Sequence, residues 1–320
     1  YTLLVTNTAN GCTSTAQVQI TQAADVPVAV AAPAPLLTCA TTTLTLNGAG
    51  SSVGNEFTYL WSASAGGNIS SGGNTLSPVI DQPGVYTLLV TNTLNSCSNN
   101  TSIVVDENVA LPVIDAGTSP NLTCTLTSLN LTGTVTTPGT FNYQWQATNN
   151  GNIVSGANGL TPTINAAGTY LLTVTSQANG CTSTDQVNVV QDILAPVPAI
   201  LQPQTLTCSL QQINLDATGS TSGNMTYSWT TAGGHFVNQT NILKPVVDEP
   251  GTYTLLVTSN INGCTATQTV TVPEDVLAPV ASAGNNGLLT CATTTLSLDG
   301  SGSSQNGNYF YQWTTARDRK

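Results

Sequence analysis

Positive charge is almost missing from this sequence. Four Lys and Arg stand against 15 Asp and Glu in 320 residues, a net charge of -11. Neutralising a phosphate backbone takes clustered basic side chains, so nucleic-acid binding is excluded. Three of the four basic residues, Arg317, Arg319 and Lys320, crowd the last positions. Histidine is reduced to His235, which closes any zinc site of several imidazoles and any relay of paired His. No apolar run approaches the roughly 18 residues that cross a bilayer, so no membrane insertion is expected of this segment. Charged residues make up only 6% of the chain, yet the composition does not read as disorder. Val, Ile, Leu, Thr and Tyr are plentiful and alternate with polar residues in short runs, the mark of half-buried strands. The expected class is all-β.

What is present is an internal repeat. YTLLVTNTANGCTST at Tyr1 returns as YTLLVTNTLNSCSNN at Tyr86, YLLTVTSQANGCTST at Tyr170 and YTLLVTSNINGCTAT at Tyr253. A second block, LLTCATTTLTLNGAGSS from Leu36, recurs around Cys124, Cys208 and Cys291. A third is an aromatic pair, Tyr59/Trp61, Tyr143/Trp145, Tyr227/Trp229 and Tyr311/Trp313. Self-similarity at a fixed period means one structural unit per repeat. The boundaries read as a partial domain at 1–24 holding strands F and G, whole repeats at 25–107, 108–192 and 193–275, and a partial domain at 276–320 holding strands A to C. Such a register is expected of a window on a longer protein, or of half-domains completed by neighbours.

Within the first whole repeat, strand A falls in VPVAVAA, B in TTLTLNG, C in FTYLWSA, E near LSPVI, F in VYTLLVTN and G at TSIVV. A Gly/Ser/Asn-rich excursion separates C from E. Turn signals at this spacing fit a β-sandwich. Side chains alternate along a strand, which puts Phe57, Tyr59 and Trp61 on one face of C and Tyr86, Leu88 and Val90 on one face of F. The recurrent Trp61, Trp145, Trp229 and Trp313, with Tyr86, Tyr170 and Tyr253, are therefore expected in cores rather than on a sugar-stacking surface.

The ordered blocks xPVAxA, LTC, LxLxGSGSS, YxW and PGxYTLLVTNxxNGC resemble the PKD-type and related immunoglobulin-like repeats of bacterial surface adhesins, especially those of Bacteroidota. The resemblance covers essentially the whole chain. It implies tandem immunoglobulin-like β-sandwich domains in a linear array, secreted to the cell surface and serving as stalks, spacers or adhesive fibres. The Asp-rich turn of many PKD-type domains is replaced here by NGAGSSVGN and its relatives.

Eight regularly spaced cysteines in an acidic, Thr-rich chain, with no Cys-x-x-Cys pair, fit an oxidising extracellular setting better than a metal site. Each repeat has one cysteine before strand B (Cys39, Cys124, Cys208, Cys291) and one in the turn from F to G (Cys12, Cys97, Cys181, Cys264). One pairing is intradomain: Cys39 with Cys97, Cys124 with Cys181, Cys208 with Cys264. In an immunoglobulin-like sandwich, however, B and F run the same way, so the start of B and the end of F lie some 25 Å apart at about 3.3 Å per residue. A disulfide needs Cα atoms about 4.4–6.8 Å apart. The other pairing is an interdomain ladder, Cys39 with Cys181 and Cys124 with Cys264, which leaves Cys12, Cys97, Cys208 and Cys291 to partners outside the window. At this level both pairings stand.

Other candidates are weaker. The linker acids Asp25, Asp106, Asp192 and Asp275 are the sites an interdomain calcium would use; isolated acids more often cap turns or stay solvated, so no cofactor is expected. His235 and Lys244 have no equivalents in the other repeats. No nucleophile elbow, metal cluster or phosphate loop is visible, so no enzyme is expected. The expected function is a structural stalk or filament stiffened by disulfides, whose partners are further copies of the repeat in the same or neighbouring chains. The alternative is an adhesin array whose loops between C and E bind a glycan or a protein.

Overall fold

The computed structural model describes residues 1–315; the basic positions Arg317, Arg319 and Lys320 lie outside the described residues. The chain forms two compact units, one of Tyr1–Leu122 with Leu126–Gln191 and one of Thr123–Thr125 with Asp192 onward. Among the described residues every regular element is a strand.

In the first unit, strand C (Phe57–Ser64), strand F (Gly84–Asn92) and strand G (Ser98–Val105) form an antiparallel sheet in that order. Its register sets Trp61 opposite Leu88 and Tyr59 opposite Val90. Leu44–Thr45, Val79–Ile80 and Ile69–Ser71 form the facing sheet. The second repeat reproduces both sheets, with Phe141–Thr148, Gly168–Ser176 and Thr182–Val189 as C, F and G. Tyr86, Leu88 and Val90 point into the first core and Tyr170, Leu172 and Val174 into the second, while the alternate residues of both strands are only partly buried. Each repeat thus has its own apolar cluster.

The second unit builds its core in the same way from Met225–Ala232, Gly251–Ser259 and Thr265–Val272. Two aromatic anchors recur in all three whole repeats. The indole N–H of Trp61, Trp145 and Trp229 donates to Thr75 O, Gly159 O and Ile242 O at 3.0, 3.0 and 2.9 Å. The tyrosine hydroxyl of strand F donates to a carbonyl four residues earlier, Gln82, Ala166 or Glu249, at 2.5, 2.6 and 2.7 Å. Both rings are buried while their polar atoms stay paired, which removes the cost of hiding them.

Three features differ from the sequence expectation. The expected strand A, VPVAVAA at 26–32, forms no regular strand. The Gly/Ser/Asn-rich excursion contains a strand, Ile69–Ser71, bulged where it pairs with Val79–Ile80. Its composition has low β propensity, and the pairing comes from the partner strand rather than from local preference. Trp313 also departs from the expected core: it is 53% exposed, whereas Trp61, Trp145 and Trp229 are each 3% exposed. Those three lie under strand F, and no described strand pairs across Trp313 in that way.

Candidate functional site: the cysteine clamps

The segment 26–32 passes along the end of strand B, Ala32 N–H donating to Asn47 O at 2.8 Å. It then crosses to the end of the repeat. There Leu37–Thr38 lies parallel to Glu107–Asn108, the chain leaving strand G. This short parallel pair holds the next residue, Cys39, beside the start of the following repeat. Thr38 and Thr41 close the loop, each N–H donating to the other's carbonyl at 2.9 and 3.2 Å.

Cys39 is bonded to Cys181, with Cα atoms 5.0 Å apart across a sequence separation of 142 residues. In the second unit Cys124 is bonded to Cys264, with Cα atoms 5.1 Å apart across 140 residues. Of the two pairings considered from sequence, the chain contains the one between successive repeats. Cys12, Cys97, Cys208 and Cys291 carry no bond.

The turn that presents Cys181 is a built structure. Asn179, 4% exposed, accepts the Cys181 N–H on Oδ1 at 3.0 Å and donates from Nδ2 to Asn108 Oδ1 and Ala110 O at 3.1 and 2.9 Å. Its own carbonyl accepts the Ala40 N–H at 3.2 Å. One side chain therefore ties the turn to the incoming linker, and its backbone ties it to the loop of the preceding repeat. Asn262 repeats the arrangement around Cys264, donating to Asp192 Oδ1 and Leu194 O at 2.8 and 3.0 Å. Gly180 sits at φ +70, and a Cβ there would lie 2.5 Å from Ala40 Cβ. Glycine is required at this position twice over, for the left-handed backbone and for the close approach. The sequence singles out the cysteines, but not the Asn and Gly before them; the signal was the recurring Asn-Gly-Cys.

Asn179→Ala removes the acceptor of the buried Cys181 N–H and the donor to Ala110 O. An unpaired buried amide costs about 1–3 kcal/mol, so denaturant unfolding of the first unit is expected to shift by that amount. A variant as stable as the parent chain would mean the turn is held by the disulfide alone.

The remaining candidates lie elsewhere. Asp192 is engaged by Asn262 as above, and Asp25 contributes its carbonyl to Asn95 Nδ2 at 3.1 Å. Asp106 contributes its carbonyl to Leu37 N–H at 3.0 Å, and Asp275 lies in the strand paired with Leu206–Thr207. Among the described residues no three His, Cys, Asp or Glu side chains gather as a metal site. His235 Nδ1 lies 2.7 Å from Asp248 Oδ1, and this hydrogen bond raises the imidazole pKa. Lys244 Nζ lies 2.8 Å from Asp216 Oδ2; its hydrogen bond, with those from Thr218, lowers the carboxyl to about 2. His235 and Lys244 are exposed while their acid partners are half-buried, and neither pair includes a clamp residue.

Sheets of this order, repeated with separate cores, define tandem immunoglobulin-like sandwiches. No protein-family model matches the chain, and no curated protein matches it. Among solved structures it is similar to the N-terminal eight Ig domains of DSCAM, at 13% identity over 86% of this chain and 39% of that one, with a TM-score of 0.33. It thus spans about two fifths of that structure. It is also similar to three N-terminal domains of the outer capsid protein Hoc of bacteriophage RB49, at 11% identity over 79% and 99% of the two chains, TM-score 0.30. Sidekick-1 immunoglobulin domains 1–5 match at 12% identity over 85% and 66%, TM-score 0.27.

Proposed function

We propose that this chain is a segment of a non-catalytic structural repeat protein, an extracellular stalk or filament of a bacterial surface in which disulfides between successive repeats restrict hinge motion. The observation that carries the reading is the clamp itself. A bond from Cys39 to Cys181 joins two repeats that each already have their own core. Its distinctive effect is on the freedom of one repeat against the next. Bead-on-string repeats flex at their linkers unless the interface is extensive, and a covalent tie beside the linker removes that freedom at little cost in surface. Disulfides in a chain this poor in charge also suit an oxidising space outside the cell. The bacterial surface setting rests on the resemblance to PKD-type repeats, and the partners are further copies of the repeat.

Electron microscopy of the unreduced protein, before and after a reductant, tests this. Stiff particles that become bent or beaded on reduction are expected. Particles equally flexible in both conditions would remove the mechanical role and move weight to a binding array.

A further inference from the structure

The two disulfides interleave along the chain: Cys124 falls between Cys39 and Cys181, and Cys181 falls between Cys124 and Cys264. Cross-links placed one after another would each shorten the chain on their own account. Interleaved ones act together. Cys39 and Cys181 become one covalent junction, and Cys124 and Cys264 become another. Three stretches of backbone, 39–124, 124–181 and 181–264, then connect the same two junctions in parallel. Followed from Cys39 across its bond, the middle stretch runs backwards, from Cys181 to Cys124.

The three stretches differ in reach. At about 3.4 Å per extended residue, 124–181 spans at most roughly 190 Å, whereas 39–124 and 181–264 span roughly 290 and 280 Å. The outer two are nearly equal because the bonds enclose nearly equal separations, 142 and 140 residues. When the chain is drawn out, the shortest stretch comes taut first and the other two stay slack. That stretch supplies Leu131, Trp145, Ile164, Tyr170 and Leu172 to the core of the second repeat. Trp61 and Tyr86 of the first core lie on 39–124, and Trp229 and Tyr253 of the third lie on 181–264.

We propose that the two clamps route tension along the chain through residues 124–181, so that the second repeat carries it while the stretches that build the first and third cores are held in reserve. The proposal rests on the structural role above and adds the path that the tension takes. With three connections in parallel, a backbone break in one stretch, or in two, leaves the molecule in one piece. An array without the bonds parts at its first break.

The test holds the purified 320-residue chain by its two ends at constant force, with the unbonded thiols alkylated beforehand, and then adds a dithiol reductant. A reductant thiolate attacks one sulfur of a bond and releases the other as a cysteine thiolate. The reductant's second thiol then closes on the mixed disulfide and frees the remaining cysteine. Loss of either bond moves the tension onto an outer stretch, a gain of roughly 90 Å in contour length. Loss of the remaining bond frees the whole of 39–264, a further gain of roughly 480 Å. Two unequal steps are expected, the short one first, and a variant carrying Cys39→Ser with Cys181→Ser should keep only the long one. A lone long step from the parent chain would show a single clamp, which overturns this proposal and leaves the stiffening role to the microscopy. Bonds closed within repeats would give three near-equal steps of roughly 200 Å, and that result overturns the proposal and the clamp reading together.

Discussion

Serine at both Cys39 and Cys181 is expected to lower the unfolding free energy of the first unit by roughly 5 kcal/mol, the loop-closure entropy of a cross-link around 142 residues. The bond acts mainly on the unfolded chain, where it removes the long loop's freedom, and the two cores it joins remain intact in the folded state. Calorimetry of the parent chain and the double variant, with and without reductant, checks the prediction. The transition of the first unit should fall in the variant, and reductant should reproduce that fall in the parent. The core built around Trp229 contains neither cysteine and serves as the internal reference in the comparison without reductant, since reductant also opens Cys124–Cys264. A shift below about 1 kcal/mol would mean that the reduced, unfolded chain already keeps the two repeats together.

Trp145→Ala is the other large effect. The indole is almost wholly buried among Leu131, Ile164 and Leu172, with its N–H paired to Gly159 O. Removing a buried aromatic of this size costs about 3–5 kcal/mol, from lost transfer energy and the cavity left behind. Trp145→Phe keeps much of the volume but strands the Gly159 carbonyl, for about 1–3 kcal/mol. Trp313→Ala, at a half-exposed ring, should stay within about 0.5 kcal/mol. Denaturant unfolding of the three variants separates the cases, and equal losses at Trp145 and Trp313 would show that the exposed ring is covered in solution.

The repeat, the strand pattern and the inward faces were open to reading in the sequence, because burial on one face of a strand imposes a two-residue alternation that survives in the residues themselves. Tyr86, Leu88 and Val90 needed no coordinates. The strand Ile69–Ser71 was hidden, since a Gly/Ser-rich segment becomes a strand only through its partner. Asn179 and Gly180 were visible as letters of a motif but not as parts of a clamp, because their work depends on Asn108, Ala110 and Ala40, all about 70 residues or more away in sequence.

Cysteine spacing by itself determined that there is one loop cysteine and one turn cysteine per repeat. It left two connectivities standing, because a periodic sequence looks the same whether each cysteine pairs within its repeat or one repeat onward. Only the tertiary structure decided between them. The parallel pairing of Leu37–Thr38 with Glu107–Asn108 carries Cys39 to the end of its own sandwich. A bond that requires Cα atoms within about 7 Å then goes to the turn that lies there, which belongs to the next repeat.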